Sequence, residues 1–307
     1  MINGNYNLLV ITGPTAMGKT RVAALTASRI NGEVISADSR QVYRRMNLGT
    51  GKDYDDYLVN GVSVPYHLVD IAEPGSKYNL FEFQRDFIRV YNEIVSGSSF
   101  PVVCGGSGMY IDSIVSGYRL AEVPPDINLR RELEKKSLEE LTEILKSYKK
   151  LHNKTDIDTV KRAVRAIEIE KYYQENREMI RDFPALKCLV VGINAGREVR
   201  RSRISQRLRQ RIENGLIDEV RSLLDEGIDS ETLVYYGLEY KYVTLYLTGR
   251  LEYEEMYRKL ETEIHRFAKR QMTWFRGMER RGIKIHWLDV NDPDDTKVDY
   301  ILNLLLK

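Results

Sequence analysis

The sequence predicts an α/β protein in which a parallel sheet is flanked by helices and a helical domain is inserted into the chain. Short apolar runs rich in branched residues alternate with helix-length segments, which is typical of a parallel sheet covered by helices. The stretch 119–184 differs, because it is charged, has no strand signal and is bounded by proline-containing turns. We therefore expect a core formed by 1–118 with 185–307, and a helical insertion at 119–184.

The order of the elements follows from the apolar runs. After Gly196 the pattern is helical to about Gly282, and a final helix is expected from Val298 to Leu305. The predicted strands, in chain order, are NLLVIT, EVIS, YHLVDI, FPVVCGG, KCLVVGI and IKIHWLDV.

Composition excludes several classes of protein. The 307 residues carry a net charge of +2, so only local clustering of charge could indicate a nucleic-acid partner. No apolar run approaches the roughly 20 residues that span a bilayer, and the first residues do not resemble a signal peptide. We expect no membrane association, a cytoplasmic location, free thiols at Cys104 and Cys188, and no zinc site from the four histidines.

A glycine-rich motif follows the first strand and opens a helix. GPTAMGKT fits the phosphate-binding consensus G-x-x-x-x-G-K-[ST] in the context that this motif requires. Backbone amides and the helix N-terminus would hold phosphate oxygens, with a lysine charge and a hydroxyl for Mg²⁺ or an oxygen. The alternative is a glycine-rich turn without a ligand. The motif comprises Gly13, Pro14, Thr15, Ala16, Met17, Gly18, Lys19 and Thr20.

A single carboxylate follows the second strand. Asp38 is expected to face the same cleft as Lys19, because the carboxyl ends of parallel strands line the ligand crevice. The residues alone leave two roles open, a catalytic group and the N-cap of a helix over RQVYRRM. A P-loop ATPase or kinase usually keeps a second acid for magnesium, for which Asp70 is a weaker candidate.

Basic residues cluster in three helical segments. Near residue 200 an arginine column adjoins an apolar stripe, which indicates either a solvated face or contact with an anion. Near residue 270, Gln271 intrudes on the apolar side formed by Ile264, Phe267, Trp274 and Met278, where a structural hydrogen bond is its alternative role. Three clusters in a nearly neutral chain indicate a polyanion larger than a nucleotide. The basic residues concerned are Arg200, Arg203, Arg207, Arg211, Lys161, Arg162, Arg165, Arg266, Lys269 and Arg270.

Six motifs in fixed order resemble one family. ITGPTAMGKT, ISADSRQVYRRMNLGTGKD, YHLVDIAEP, FPVVCGGSGMYI, VRAIEI and FAKRQMTWFRG are similar to segments of the tRNA dimethylallyltransferases, also called tRNA isopentenyltransferases. The resemblance implies a P-loop NTPase-like fold and an insertion that contacts tRNA. It also implies transfer of dimethylallyl from its diphosphate to N6 of adenosine 37, beside the anticodon.

The resemblance also implies roles for individual residues. Asp38 is the expected base, Arg207 and Lys19 bind the diphosphate, and Thr20 lies beside the bridging oxygen and Mg²⁺, the one expected cofactor. The expected partners are dimethylallyl diphosphate and the anticodon stem-loop, with the protein a monomer. The expected tRNA contacts are Asp38, Ser39, Arg40, Gln41, Ser107, Lys161, Arg162, Arg165, Lys269, Arg270 and Gln271.

Departures from the family pattern keep alternatives open. Glu239 stands where a glycine is expected, Ile264 stands where a threonine is expected, and the insertion is short. All three lie in regions expected to meet RNA. The alternatives are an adenylate isopentenyltransferase acting on AMP, ADP or ATP, a P-loop phosphotransferase, and a non-catalytic RNA-binding protein.

Overall fold

The computed structural model describes residues 5–149, 155–176 and 183–306. The chain divides into two compact units, one formed by Met1–Gly117 with Pro184–Lys307 and the other by Tyr118–Phe183.

Strands and helices alternate along the first part of the chain, and most elements of the second part are helices. The strands are β1 Leu8–Thr12, β2 Gly32–Ser36, β3 Leu58–Val59, β4 Val62–Ser63, β5 Tyr66–His67, β6 Phe100–Gly105, β7 Cys188–Asn194 and β8 Ile285–Asp289. The helices are α1 Lys19–Arg29, α2 Leu80–Ser96, α3 Gly108–Val115, α4 Ile127–Leu133, α5 Leu138–Tyr148, α6 Val160–Glu175, α7 Arg197–Glu213, α8 Leu216–Asp225, α9 Ser230–Tyr235, α10 Leu238–Leu247, α11 Tyr253–Arg280 and α12 Asp294–Leu305, with 3₁₀ turns at Tyr54–Tyr57 and Thr155–Ile157.

A six-stranded sheet forms the centre of the larger unit. Its order is β5-β2-β6-β1-β7-β8, and every neighbouring pair is parallel. All five residues of β1 are buried, as expected for a strand covered on both faces. The predicted parallel α/β architecture is confirmed, and each of the six predicted runs contributes a strand to this sheet.

Helices cover both faces of the sheet. On one face α1 and α12 pack on β1 and its neighbours through small and branched side chains such as Ala23, Ala27 and Ile301. The other face is covered by α2 and α3, and α11 packs on α3 and reaches β8 through Phe275 and Trp287. A separate apolar cluster joins α7, α8, α9, α10 and α11. These helices bring α7 and α11 to the carboxyl edge of the sheet.

Two details differ from the predictions or refine them. The last helix begins at Asp294 rather than at Val298, because Pro293 is its N-cap and acidic residues occupy its favourable first turn. Cys104 and Cys188 are free, as predicted, and burial raises the pKa of both thiols to about 12. Among the described helices, none is both long and apolar enough to cross a membrane.

The smaller unit has its own core. Helices α5 and α6 pack together through Leu141, Leu145 and Ile167. The buried carboxylate of Glu168 accepts two hydrogen bonds from Arg130, 2.9 and 2.7 Å long. A charge at this position is tolerated because its oxygens are paired.

Gly192 provides a test of packing in the sheet. A Cβ there would lie 2.3 Å from the ring of Trp287, so Gly192→Ala is expected to lower the free energy of unfolding by about 1–3 kcal/mol. Gly277 in α11 is the matched control, since a Cβ there has no contact shorter than 3.5 Å. Gly277→Ala is expected to raise stability by roughly 0.5–1 kcal/mol through helix propensity. Urea unfolding measures both, and equal effects of the two changes would contradict this packing.

Candidate active site

The phosphate-binding motif connects β1 to α1. Gly13 has a φ of 140° and lies so close to β7 that a Cβ would be 2.1 Å from the carbonyl oxygen of Ile193. Gly18 is the left-handed N-cap of α1. The amine of Lys19 donates to the carbonyl of Pro14 over 2.8 Å, and so closes the loop. The loop has the shape that the motif predicts.

Asp38 lies two residues beyond the end of β2. The following segment forms turns rather than a helix, so the helix-cap alternative does not hold. One carboxylate oxygen, Oδ1, accepts the amide hydrogen of Arg40 over 2.9 Å, which fixes the orientation of the side chain. Within the described residues, no cation forms an ion pair with Asp38.

Asp38 and the phosphate loop share one cavity. This cavity, of about 620 Å³, is lined by Lys19, Thr20, Asp38 and Arg207, together with Ser39, Arg40, Gln41, Ser107, Arg270 and Gln271. A second cavity of about 520 Å³ adjoins the other side of the loop and is lined by Ala16, Asp53 and Asp56 among others. The larger one is called the acceptor cavity below, and the smaller one the loop cavity.

Backbone contacts fix the polar wall of the acceptor cavity. The Ser107 hydroxyl accepts the amide hydrogen of Ser39 over 3.0 Å, which joins the segment after β6 to the segment after β2. The Gln41 amide accepts from the Ser36 hydroxyl over 3.0 Å and donates to the Gly51 carbonyl over 2.9 Å. These side chains face the cavity in fixed positions.

Helix α11 closes the cavity from the opposite side. Gln271 accepts the amide hydrogen of Thr15 over 3.0 Å and donates to the carbonyl of Gly106 over 2.8 Å. It therefore forms the expected structural hydrogen bonds while lining the cavity. Phe267 was expected on the apolar side with Ile264, but it is 39% exposed because it lines the acceptor cavity. Lys269 is exposed and is not part of either cavity wall.

The arginine column of α7 has separate partners. Arg200 donates to the Asn194 amide oxygen and Arg203 to the Ala16 carbonyl, each over 3.0 Å. Arg207 pairs with Asp53, and Arg211 lies 3.7 Å from Glu239. Arg203 thus bonds directly to the phosphate loop. Arg207 and Arg211 line both cavities beside the loop.

Electrostatics around Lys19 are unusual. Burial of its amine, together with the positive charge of Arg207, lowers its pKa to about 8, against a partly compensating effect of Asp38. Lys19 is therefore mostly a cation at neutral pH and mostly neutral at pH 9. An anion in the loop would stabilise the cation.

The basic residues of the insertion belong to the other compact unit. Lys161 and Arg162 are exposed on α6, and Arg162 pairs with Asp158. Arg165 pairs with the buried Glu168 and donates to the Val123 carbonyl over 3.0 Å. Some of the hydrogen-bond donors of Arg165 are therefore already used within its own unit.

Sequence reasoning did not single out Asp53 and Asp56 as site residues. Burial, with the nearby charge of Asp53, raises the pKa of Asp56 to about 6. The acidic run KDYDDY, directly after a glycine turn, was the available signal. The earlier candidate Asp70 pairs with Lys52 and accepts from the Tyr54 hydroxyl over 2.6 Å, outside both cavity walls.

The donor set near the loop fits Mg²⁺ held through phosphates. No group of three or more His, Cys, Asp or Glu in the described part of the chain could hold a metal ion. Mg²⁺ commonly keeps several waters and takes one or two carboxylates plus substrate phosphates. Thr20, Asp53 and Asp56 in the loop cavity supply oxygen donors of that kind.

Comparison with known proteins decides the family. A family model described as IPP transferase matches residues 41–278. The chain belongs to the IPP transferase family. This finding confirms the resemblance found in the motifs.

Close relatives and a solved structure agree over nearly the full chain. The chain is 58% identical over 300 residues to tRNA dimethylallyltransferase 2 of Phocaeicola vulgatus, covering 98% of both chains. It is 57% identical over 297 residues to the protein of the same name in Bacteroides fragilis, covering 97% of both. The full-length tRNA isopentenylpyrophosphate transferase of Bacillus halodurans has a similar structure, with 31% identity, a TM-score of 0.71 and coverage of 98% and 95%.

The lowered pKa of Lys19 makes phosphate binding depend on pH. Because the neutral amine must gain a proton to pair with an anion, affinity for pyrophosphate is expected to fall as pH rises through about 8. Lys19→Arg keeps its charge over this range and serves as the reference for the ligand's own titration. Calorimetry at pH 7 and pH 9 measures both proteins. Parallel changes in the two affinities would contradict the lowered pKa.

Proposed function

We propose that this IPP transferase family enzyme transfers the dimethylallyl group of dimethylallyl diphosphate to N6 of adenosine 37 in tRNA. The observation that carries the proposal is the single cavity shared by a phosphate loop and the Asp38 carboxylate. The names of relatives that match nearly the whole chain support the choice of donor and acceptor.

Asp38 serves as the base in this proposal. The lone pair of adenine N6 is delocalised into the ring, so the nitrogen attacks efficiently when a nearby carboxylate takes its proton. The N6–C bond forms as the allylic C–O bond breaks, the proton passes to Asp38, and the diphosphate leaves with the electron pair. The bond from the Arg40 amide orients the carboxylate for this role.

The phosphate loop stabilises the leaving group. Negative charge grows on the diphosphate as the C–O bond breaks, and donors fixed in advance stabilise that charge most effectively. Lys19, Arg207 and the amides of the loop are such donors. Thr20 with Asp53 and Asp56 would hold Mg²⁺, which neutralises diphosphate charge when bound.

The acceptor cavity suits an extruded base. Its wall combines polar groups, Ser39, Gln41 and Ser107, with the aromatic rings of Phe267 and Trp274. A base taken out of a stack is typically held by hydrogen bonds on its edge and by aromatic or apolar contacts. The bases of a single-stranded anticodon loop are accessible at the lowest cost in stacking energy.

Exposed cations on α6 would bind the backbone of the anticodon stem. Lys161 and Arg162 are exposed, and Arg162 is paired only with an exposed aspartate among the described residues. Such pairs are weak and can be replaced by phosphate contacts. We further propose that the enzyme works as a monomer in the cytoplasm.

The proposal is tested by the choice of acceptor. Radiolabelled dimethylallyl diphosphate is offered with unmodified tRNA, with tRNA carrying guanosine at position 37, or with AMP. Label is expected only in the first. Label in AMP alone would replace this function with adenylate prenylation, and ATP turnover without any prenyl transfer would replace it with phosphotransfer.

Removing the Asp38 carboxylate should lower the rate of prenyl transfer without weakening tRNA binding. Asp38→Asn keeps the shape and the bond to the Arg40 amide, so tRNA affinity is expected to stay within about twofold of the wild type. The rate of prenyl transfer in a single turnover is expected to fall about 10²-fold or more, in the range for a missing general base. A rate close to that of the wild type would remove Asp38 from the mechanism.

Loss of one phosphate contact should change the salt dependence of tRNA binding. Arg162→Ala is expected to weaken tRNA binding. It should also make the negative slope of log affinity against log salt shallower by about 1. Lys146→Ala is the control, because Lys146 is also an exposed cation of the insertion in a surface ion pair. Filter binding over a salt series measures both. Loss of donor affinity, or an equal loss with Lys146→Ala, would refute this contact.

A further inference from the structure

Four side chains face both cavities. Among the described residues, Lys19, Thr20, Arg207 and Arg211 line the acceptor cavity and the loop cavity alike. In the proposed function Lys19 and Arg207 bind the diphosphate, and Thr20 would hold Mg²⁺. The donor diphosphate connects the phosphate loop to the allylic carbon that reacts, so it must occupy the boundary between the two cavities. Arg211 is the remaining side chain at that boundary.

Arg211 carries a charge in an enclosed position with little compensation. Its side chain is 12% exposed, the carboxylate of Glu239 lies 3.7 Å away, and the charge of Asp53 adds a smaller compensating effect. That separation is too long for a hydrogen bond. Burial, followed by the positive charge of Arg207, lowers the pKa of Arg211 to about 10. A buried guanidinium in such surroundings is stabilised by a further anion.

The turn at Gly51 holds the two arginines side by side. With a φ of 71°, this glycine leaves open the space that a Cβ would fill, 1.9 Å from Nη2 of Arg211 and 2.9 Å from Nη2 of Arg207. Two guanidinium groups at one glycine repel each other. Asp53 pairs with one of them and Glu239 lies beside the other, and both planar donor groups line the two cavities together with Lys19 and Thr20 of the phosphate loop.

We propose that Arg211, beside the carboxylate of Glu239, is a second arginine that binds the donor diphosphate. This inference rests on the proposed function, because it assigns the diphosphate to the phosphate loop. Arginine suits the task, since its donors match two phosphate oxygens at once. Glu239 is also one of the residues that depart from the family pattern, and the proposal gives this departure a place in the donor site.

A purely structural role makes a different prediction. If Arg211 only neutralised Glu239, removing Arg211 would leave a lone carboxylate that repels the diphosphate, and removing Glu239 as well would cancel the effect. A double-mutant cycle separates the two roles. The proteins are wild type, Arg211→Met, Glu239→Gln and the double variant, all as the full chain.

Calorimetric titration with inorganic pyrophosphate and Mg²⁺, without RNA, measures the donor site alone. Arg211→Met is expected to weaken binding about tenfold or more, both in the wild type and in the Glu239→Gln background, as expected for a lost charged hydrogen bond. Arg209→Met removes an exposed arginine of the same helix and is expected to stay within about twofold. Arg211→Lys keeps one charge without the paired donors and should show an intermediate loss.

Two outcomes overturn the inference while leaving the proposed function intact. One is pyrophosphate affinity within about twofold of the wild type for Arg211→Met. The other is a loss that disappears in the Glu239→Gln background. If Arg211→Met fails to fold, as judged by circular dichroism, unchanged affinity in Arg211→Lys is the overturning result. A wild type that neither binds pyrophosphate nor transfers a prenyl group overturns this inference and the proposed function together.

Discussion

Parallel pairing of β6 with β1 on one side and β2 on the other is the constraint on which the site depends. It places the ends of three strands at one edge, so the phosphate loop, Asp38 and Ser107 become neighbours although about 90 residues of chain separate the first from the last. Gln271 then bonds the loop to the turn after β6. The site is therefore held by backbone geometry before any ligand enters.

The charges of the site follow from the same geometry. Helix α7 contributes Arg207 and Arg211 to the cavity wall that also contains Lys19. Asp53 pairs with Arg207, and Glu239 lies beside Arg211. Asp38 lies in the wall of the same cavity and remains outside these ion pairs. Positive charge is thus concentrated at the phosphate loop, where the proposed reaction develops negative charge on the leaving diphosphate.

The fold could largely be predicted from the sequence, because the central strands β1, β2, β6 and β7 are largely buried and read as apolar runs. The phosphate loop and the position of Asp38 followed from the same reasoning. Local pattern could not choose between a catalytic role and a helix N-cap at Asp38, since Asp-Ser is a favourable helix start. It also could not show that Phe267 faces a cavity, because helical periodicity marks an apolar side without saying what covers it.

Contacts between distant segments were beyond prediction. The partners of Gln271 lie 256 and 165 residues away, and nothing in a single sequence pairs Arg211 with Glu239. Asp53 and Asp56 were missed for a similar reason, because their proximity to the loop depends on how α7 and the 3₁₀ turn at Tyr54–Tyr57 pack.

The most direct test of the central claim is a crystal structure of the enzyme with an anticodon stem-loop and an unreactive thio analogue of dimethylallyl diphosphate. The account predicts the diphosphate in the Gly13–Thr20 loop and adenine N6 within about 3.2 Å of an Asp38 carboxylate oxygen, the reach of a general base. An adenine bound elsewhere, or a diphosphate outside the loop, would contradict it.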